Sequence, residues 1–274
     1  MTLAIAAEFP WGEHRRILDS LPFRSTTIDG AIILAADTRW SYDDGSVKND
    51  GRKLWVLGEH LGILLAGDVW AAEEGIRRLR TAGRTVKFTS ANEVVALAAK
   101  TFADTYSAHH RARPNPGPVH YLLGFVDSLG RTALARLSSD GGFNPIWLRG
   151  VNAIGIKAAC DAVAQNLNVA TESEGFQNDD PTTWALRVVG AIDSVIQDGT
   201  QPTVGGAVQW VLGTKRGWEQ IGTSALDPDT DFLVDSNWRD TSARLEDLVS
   251  IGSFEDKWLA ACETTELVVA TIPD

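Results

Sequence analysis

Apolar positions fall into two kinds of segment. Nearly unbroken apolar runs occupy Thr2 to Phe9, Ala31 to Ala36, Leu54 to Leu57, Leu61 to Ala66, His120 to Val126 and Thr132 to Leu137; such runs predict strands buried on both faces. Between them lie segments of helical period at about Val69 to Arg80, Ser90 to His109, Ala158 to Leu167 and Pro181 to Gln197. Local signals bound them. Glu73 and Glu74 precede Arg77, Arg78 and Arg80 as the helix dipole favours. Ser90 with Glu93 is a capping box, and Asp180 caps a helix with Pro181 in its first turn.

Turn chemistry supplies the connections. Asp29-Gly30 precedes a strand, Tyr42 to Gly51 reads as a loop, and the prolines between Arg111 and Pro118 impose another. Ser128 to Arg131 closes a hairpin, Trp147 to Ile156 reads as one strand, and Ala207 to Leu212 with Trp218 to Gly222 forms a last hairpin across Gly213 to Gly217. Pro10 to Thr27 is a long polar connection. The order (strands, two helices, strands, two helices, strands) predicts an α+β fold, a four-layer αββα sandwich of two antiparallel sheets between helix layers.

Composition narrows the function classes. The 274 residues, 44% of them apolar, can bury one large core. A net charge of −11 argues against nucleic acid, which needs a basic surface. Two cysteines, Cys160 and Cys262, point to a reducing compartment rather than a disulfide framework. No run approaches the ~18 apolar residues of a membrane span, and the start carries no basic leader, so a cytoplasmic protein without membrane contact is expected.

Three stretches carry the chemistry: Ala35-Ala36-Asp37-Thr38-Arg39, Gly51-Arg52-Lys53 and Leu65-Ala66-Gly67-Asp68. A carboxylate, an amine and a glycine N–H thus stand at three strand ends, with Thr2 behind Met1. These are the parts of an amino-terminal nucleophile (Ntn) hydrolase. Asp29 to Arg39 resembles the second strand of proteasome β-type subunits; Lys53, sixteen residues after Asp37, and Gly67, fourteen further on, match that family without a gap. Gly205-Gly206-Ala207-Val208 through Gly217-Trp218 resembles its last long hairpin.

The resemblance implies a domain over 1–228 followed by a C-terminal extension over 229–274. It implies Thr2 as nucleophile, Lys53 and Asp37 as tuning groups and Gly67 as oxyanion donor, with no cofactor and no metal. The implied activity is threonine-type peptide hydrolysis inside a homo-oligomeric ring or spiral, with an ATPase unfoldase as a further partner. A non-catalytic structural member of the fold and a small-molecule Ntn amidohydrolase remain as alternatives.

The chain departs from the family at several points. Leu3 replaces a second threonine, Val204-Gly205-Gly206 replaces Ser-Gly-Gly, and Gly155-Ile156-Lys157 lacks a serine. Gln201 stands where an aspartate is expected, unless Asp198 serves. Counting back from Asp37 without the Pro10 to Thr27 insertion would instead place the first position near Ser20 or Leu21. Weaker constellations add little. His109, His110 and His120 lack clear metal spacing, and Asp227 to Asp231 lacks the glycine and glutamate of a calcium loop. Trp55, Trp70, Trp184 and Trp210 are expected as core or interface anchors, with Trp40 beside a cleft.

Overall fold

The computed structural model describes residues 2–9, 30–42, 44–57, 61–83, 90–113, 116–126, 130–171 and 180–225. The 10–27 connection and the 229–274 extension lie outside them.

The first sheet is built from β1 (Leu3–Phe9), β2 (Ala31–Asp37), β10 (Val151–Gly155), β11 (Ala207–Thr214) and β12 (Gly217–Ala225), in the order β10-β1-β2-β11-β12. The second contains β5 (Leu54–Leu57), β6 (Leu61–Gly67), β7 (Val119–Val126), β8 (Thr132–Ser138) and β9 (Ile146–Leu148), in chain order. Every pairing in both is antiparallel. A small separate hairpin pairs β3 (Trp40–Ser41) with β4 (Val47–Lys48). The helices are α1 (Val69–Gly83), α2 (Ala91–Ala112), α3 (Lys157–Thr171) and α4 (Pro181–Asp198).

Alternation along β2 explains its unbroken apolar run. Ile32, Leu34 and Ala36 enter the core shared by the two sheets, α1 and α2. Ala31, Ile33 and Ala35 enter a second core against α3 and α4. Both faces are buried, so no polar residue marks either; the four layers follow as expected. Close sheet contact depends on small residues. Gly62 pairs with Gly124 across β6 and β7, and a Cβ on Gly62 would lie 2.3 Å from Leu34 Cδ1 of the facing sheet.

The expected caps form. Ser90 Oγ accepts from the Glu93 N–H at 3.4 Å, and Asp180 Oδ1 from that of Thr183 at 2.7 Å. In α1, Glu74 pairs with Arg77 and Arg78, while the first turn holds no acidic residue, so neighbouring ion pairs rather than the helix dipole engage that carboxylate.

Some boundaries differ. Trp147 to Ile156 is not one strand: the chain turns at Gly150 (φ +70) and passes from β9 in one sheet to β10 in the other. Residues 111 and 112 still belong to α2, because its last turn has no proline to stop it. The last hairpin turns at 215–216, since β11 continues past a bulge at Leu212/Gly213 to Thr214. Trp184 is core, whereas Trp70 is 69% exposed on α1.

Candidate active site

Register brings the first strand to Asp37. Ala4 pairs with Ala36, so the Thr2–Leu3 peptide reaches the end of β2, and the Leu3 N–H donates to Asp37 Oδ1 at 2.8 Å. Thr2 is thereby held beside Asp37 despite the long insertion; Ser20 and Leu21 lie outside the described residues. Its carbonyl accepts from the Ile156 N–H at 3.1 Å, in a space that a Cβ on Gly155 would close. Thr2 is 2% exposed, and its Oγ1 is buried without a hydrogen-bond partner among the described residues.

Lys53 meets the same carboxylate from the other sheet. Its Nζ donates to Asp37 Oδ1 at 2.7 Å and to the Arg39 carbonyl, with the Trp40 ring 5.0 Å away. Both side chains are fully buried. A buried pair persists only when its other polar atoms are also satisfied, and here they are. Asp37 Oδ2 accepts from the N–H groups of Gly205 (3.1 Å) and Arg39 (3.2 Å). Burial pulls the Lys53 ammonium below its ordinary pKa, against the opposing charge and hydrogen bond of Asp37.

The loop in which Val204 replaces the expected serine keeps its two glycines, and Gly205 is the one that donates to this carboxylate. Gly205 leaves room for the Arg39 guanidinium, which a Cβ would approach to 2.4 Å; Gly206, at φ +76, lies against the Thr38 hydroxyl. Arg39 Nε donates to Asn49 Oδ1, and its Nη1 to the carbonyls of Pro202 and Val204. Asp198 accepts from the Thr200 hydroxyl at 2.6 Å. The serine hydroxyls missing from the sequence have no counterpart at Val204 or Ile156.

Gly67 joins the group through backbone. It ends β6 at φ +102, where a Cβ would lie 1.9 Å from the Pro118 carbonyl oxygen. Two residues earlier the Leu65 N–H donates to the Lys53 carbonyl at 3.0 Å. Asp68 then caps α1 at the Ala71 N–H and faces His109 at 3.4 Å and Arg113 at 3.7 Å. Thr2, Asp37 and Lys53 therefore meet through a shared carboxylate, and Gly67 is tied to them by strand pairing.

Sequence reasoning passed over Asn49 and Gln209. Gln209 left a trace, a polar residue inside the apolar run of β11. The histidines do not converge: His109 faces Asp68 and His120 faces Asp140. Among the described residues no group of three or more His, Cys, Asp or Glu side chains could hold a metal, and no helix is long and apolar enough to cross a membrane. Trp40 is buried against the ammonium.

Comparison with known proteins gives one direction. The sequence model of the proteasome subunit matches residues 26–170. Proteasome subunit beta from Methanocaldococcus jannaschii and from Methanocaldococcus sp. strain FS406-22 are each 27% identical over 116 residues, 42% of this chain. The match spans about half, 51%, of those curated relatives. Among solved structures, an Anbu (Gly-1) mutant from Hyphomicrobium sp. strain MC1 superposes with a TM-score of 0.59 at 14% identity, covering 92% of this chain and 98% of that one. The helical assembly of the Anbu complex from Pseudomonas aeruginosa gives 0.59 at 18% identity, covering 90% and 95%. At such identities the superpositions show a shared fold.

Proposed function

The chain belongs to the proteasome subunit family, and from that premise we propose that it is a threonine-type peptidase with Thr2 as its nucleophile, working in the cytoplasm within a self-assembled chamber. The observation that carries the proposal is the buried Asp37–Lys53 pair whose Asp37 Oδ1 also binds the Thr2–Leu3 peptide.

Removal of Met1 exposes the Thr2 amine. An α-amine titrates near 8, and the adjacent ammonium of Lys53 favours its neutral form. The amine takes the proton of Thr2 Oγ1 as that oxygen attacks the scissile carbonyl carbon. The Gly67 N–H receives the developing oxyanion. The protonated amine then gives its proton to the departing nitrogen as the C–N bond breaks, leaving an ester on Thr2. Water, deprotonated by the same amine, hydrolyses that ester and restores the hydroxyl. Asp37 keeps Lys53 charged and aimed.

Assembly with further copies is part of the proposal. The exposed Trp70 at the start of α1 supplies apolar surface for it, and the Pseudomonas aeruginosa Anbu complex is solved as a helical assembly. Unfolded peptides fed by an ATPase would be the substrates, and the catalytic domain would end near residue 228. The hydroxyl-free Val204 and Ile156 favour a second reading, a structural member without turnover; a small-molecule amidohydrolase is the third.

Hydrolysis of a fluorogenic peptide panel by the Met1-free protein tests the proposal. Thr2→Ala abolishes it. Lys53→Ala removes most of it, since a two-unit shift in the base corresponds to about 2.7 kcal/mol. Lys53→Arg does not restore it, because a planar fork cannot replace a compact ammonium. Full hydrolysis by Thr2→Ala would place the nucleophile elsewhere.

A further inference from the structure

Gln209 stands in β11, where its backbone pairs with Ala36, the residue before Asp37. Its side chain leaves the first sheet and reaches the run that leads into β5 of the second. There Oε1 accepts from the Lys53 N–H at 3.2 Å and Nε2 donates to the Gly51 carbonyl at 2.6 Å. β5 is an edge strand, pairing only with β6 among the described residues, and residues 51–53 precede its ladder. The primary amide thus pairs the Lys53 N–H and the Gly51 carbonyl, two backbone groups that lie ahead of the β5–β6 ladder.

We propose that Gln209 is a positioning residue for the active site, its side-chain amide setting Lys53 at the height at which the ammonium meets the Asp37 oxygen that also binds the Thr2–Leu3 peptide. One residue then carries both distances: its peptide fixes the end of β2, and its side chain fixes the start of β5. The inference rests on the proposed catalytic role of Lys53. A Gln at this position answers the geometry because the segment presents one donor and one acceptor. Glutamate can accept from Lys53 but cannot donate to Gly51, and methionine fills the space while doing neither.

The test compares Gln209→Glu and Gln209→Met with the native Met1-free protein by two readouts. The first is amide hydrogen exchange at Lys53, which needs no activity. The second is the pH profile of labelling by a threonine-directed epoxyketone. The charged groups that face the ammonium, Asp37 and Arg39, are unchanged in Gln209→Met, whereas Gln209→Glu adds a carboxylate beside Lys53, so the pH profile is read in Gln209→Met. Exchange at Lys53 rises at least tenfold in Gln209→Met and less in Gln209→Glu, whose carboxylate still accepts from the Lys53 N–H, while exchange within α4 stays native in both. The acid limb of the labelling profile moves up by about one unit, because a displaced ammonium favours the neutral amine less. Faster exchange in a protein that is never labelled upholds the positioning and removes the catalytic reading on which it rests. Native exchange at Lys53 together with a native profile in Gln209→Met overturns the inference and leaves the catalytic reading standing. A lowered melting temperature with an unmoved profile also overturns it, by reducing Gln209 to a fold-stabilising contact.

Discussion

Asp37 carries more of the site than any other side chain, since four donors converge on its two oxygens. Asp37→Asn leaves Lys53 buried without its counter-charge, and breaking such a pair costs about 3–5 kcal/mol. The sign of the accompanying pH dependence follows from Lys53. Its folded pKa already lies below its ordinary value through burial, and losing Asp37 lowers it further. The penalty of the buried charge is full below the folded pKa and is relieved as pH rises toward the unfolded value near 10.4. Thermal melts should therefore show the gap between Asp37→Asn and native protein narrowing from pH 7 to pH 9; a gap that widened would contradict the account. Cys160 is expected to be a silent residue. Burial, then Asp161, pushes its thiol up to about 11, so iodoacetamide at pH 7 leaves it unmodified in a peptide map.

Elements position these groups, and their signals differ in legibility. The cap at Asp180 was visible as Asp-Pro before a helical period, and Asp180→Ala should lower stability by about 1 kcal/mol in urea denaturation. Gly67 is constrained twice, by φ and by the Pro118 carbonyl; Gly67→Ala should shift the start of β7 and cut Thr2 labelling more than tenfold while α3 and α4 keep native exchange. Buried strands were legible because apolar runs allow little else, and Asp37 to Lys53 to Gly67 because their register matches a known family. Less could be read where a single residue redirects the chain. Gly150 splits an apparently continuous strand between two sheets. Glu8 interrupts an apolar run, yet it is buried and accepts from Thr132 Oγ1 and the Gly150 N–H. Its partners lie more than a hundred residues away, beyond any local pattern. The bond from Gln209 to Lys53 is hidden for the same reason.

At the scale of the whole molecule, two sheets meet so that the end of one supplies Thr2 and Asp37 and the end of the other supplies Lys53 and Gly67. Self-association is expected. Light scattering at micromolar concentration should give a mass several times the 29.6 kDa chain, and a monomer would remove the chamber while leaving the site chemistry intact. The central claim, that Thr2 is the nucleophile set up by Asp37 and Lys53, meets its most direct test in one mass spectrum. Intact protein is incubated with a threonine-directed epoxyketone and then mapped by fragmentation. The account predicts a chain lacking Met1 and carrying one adduct on Thr2, absent from Lys53→Ala. Retained Met1, or an adduct on any other residue, would contradict it.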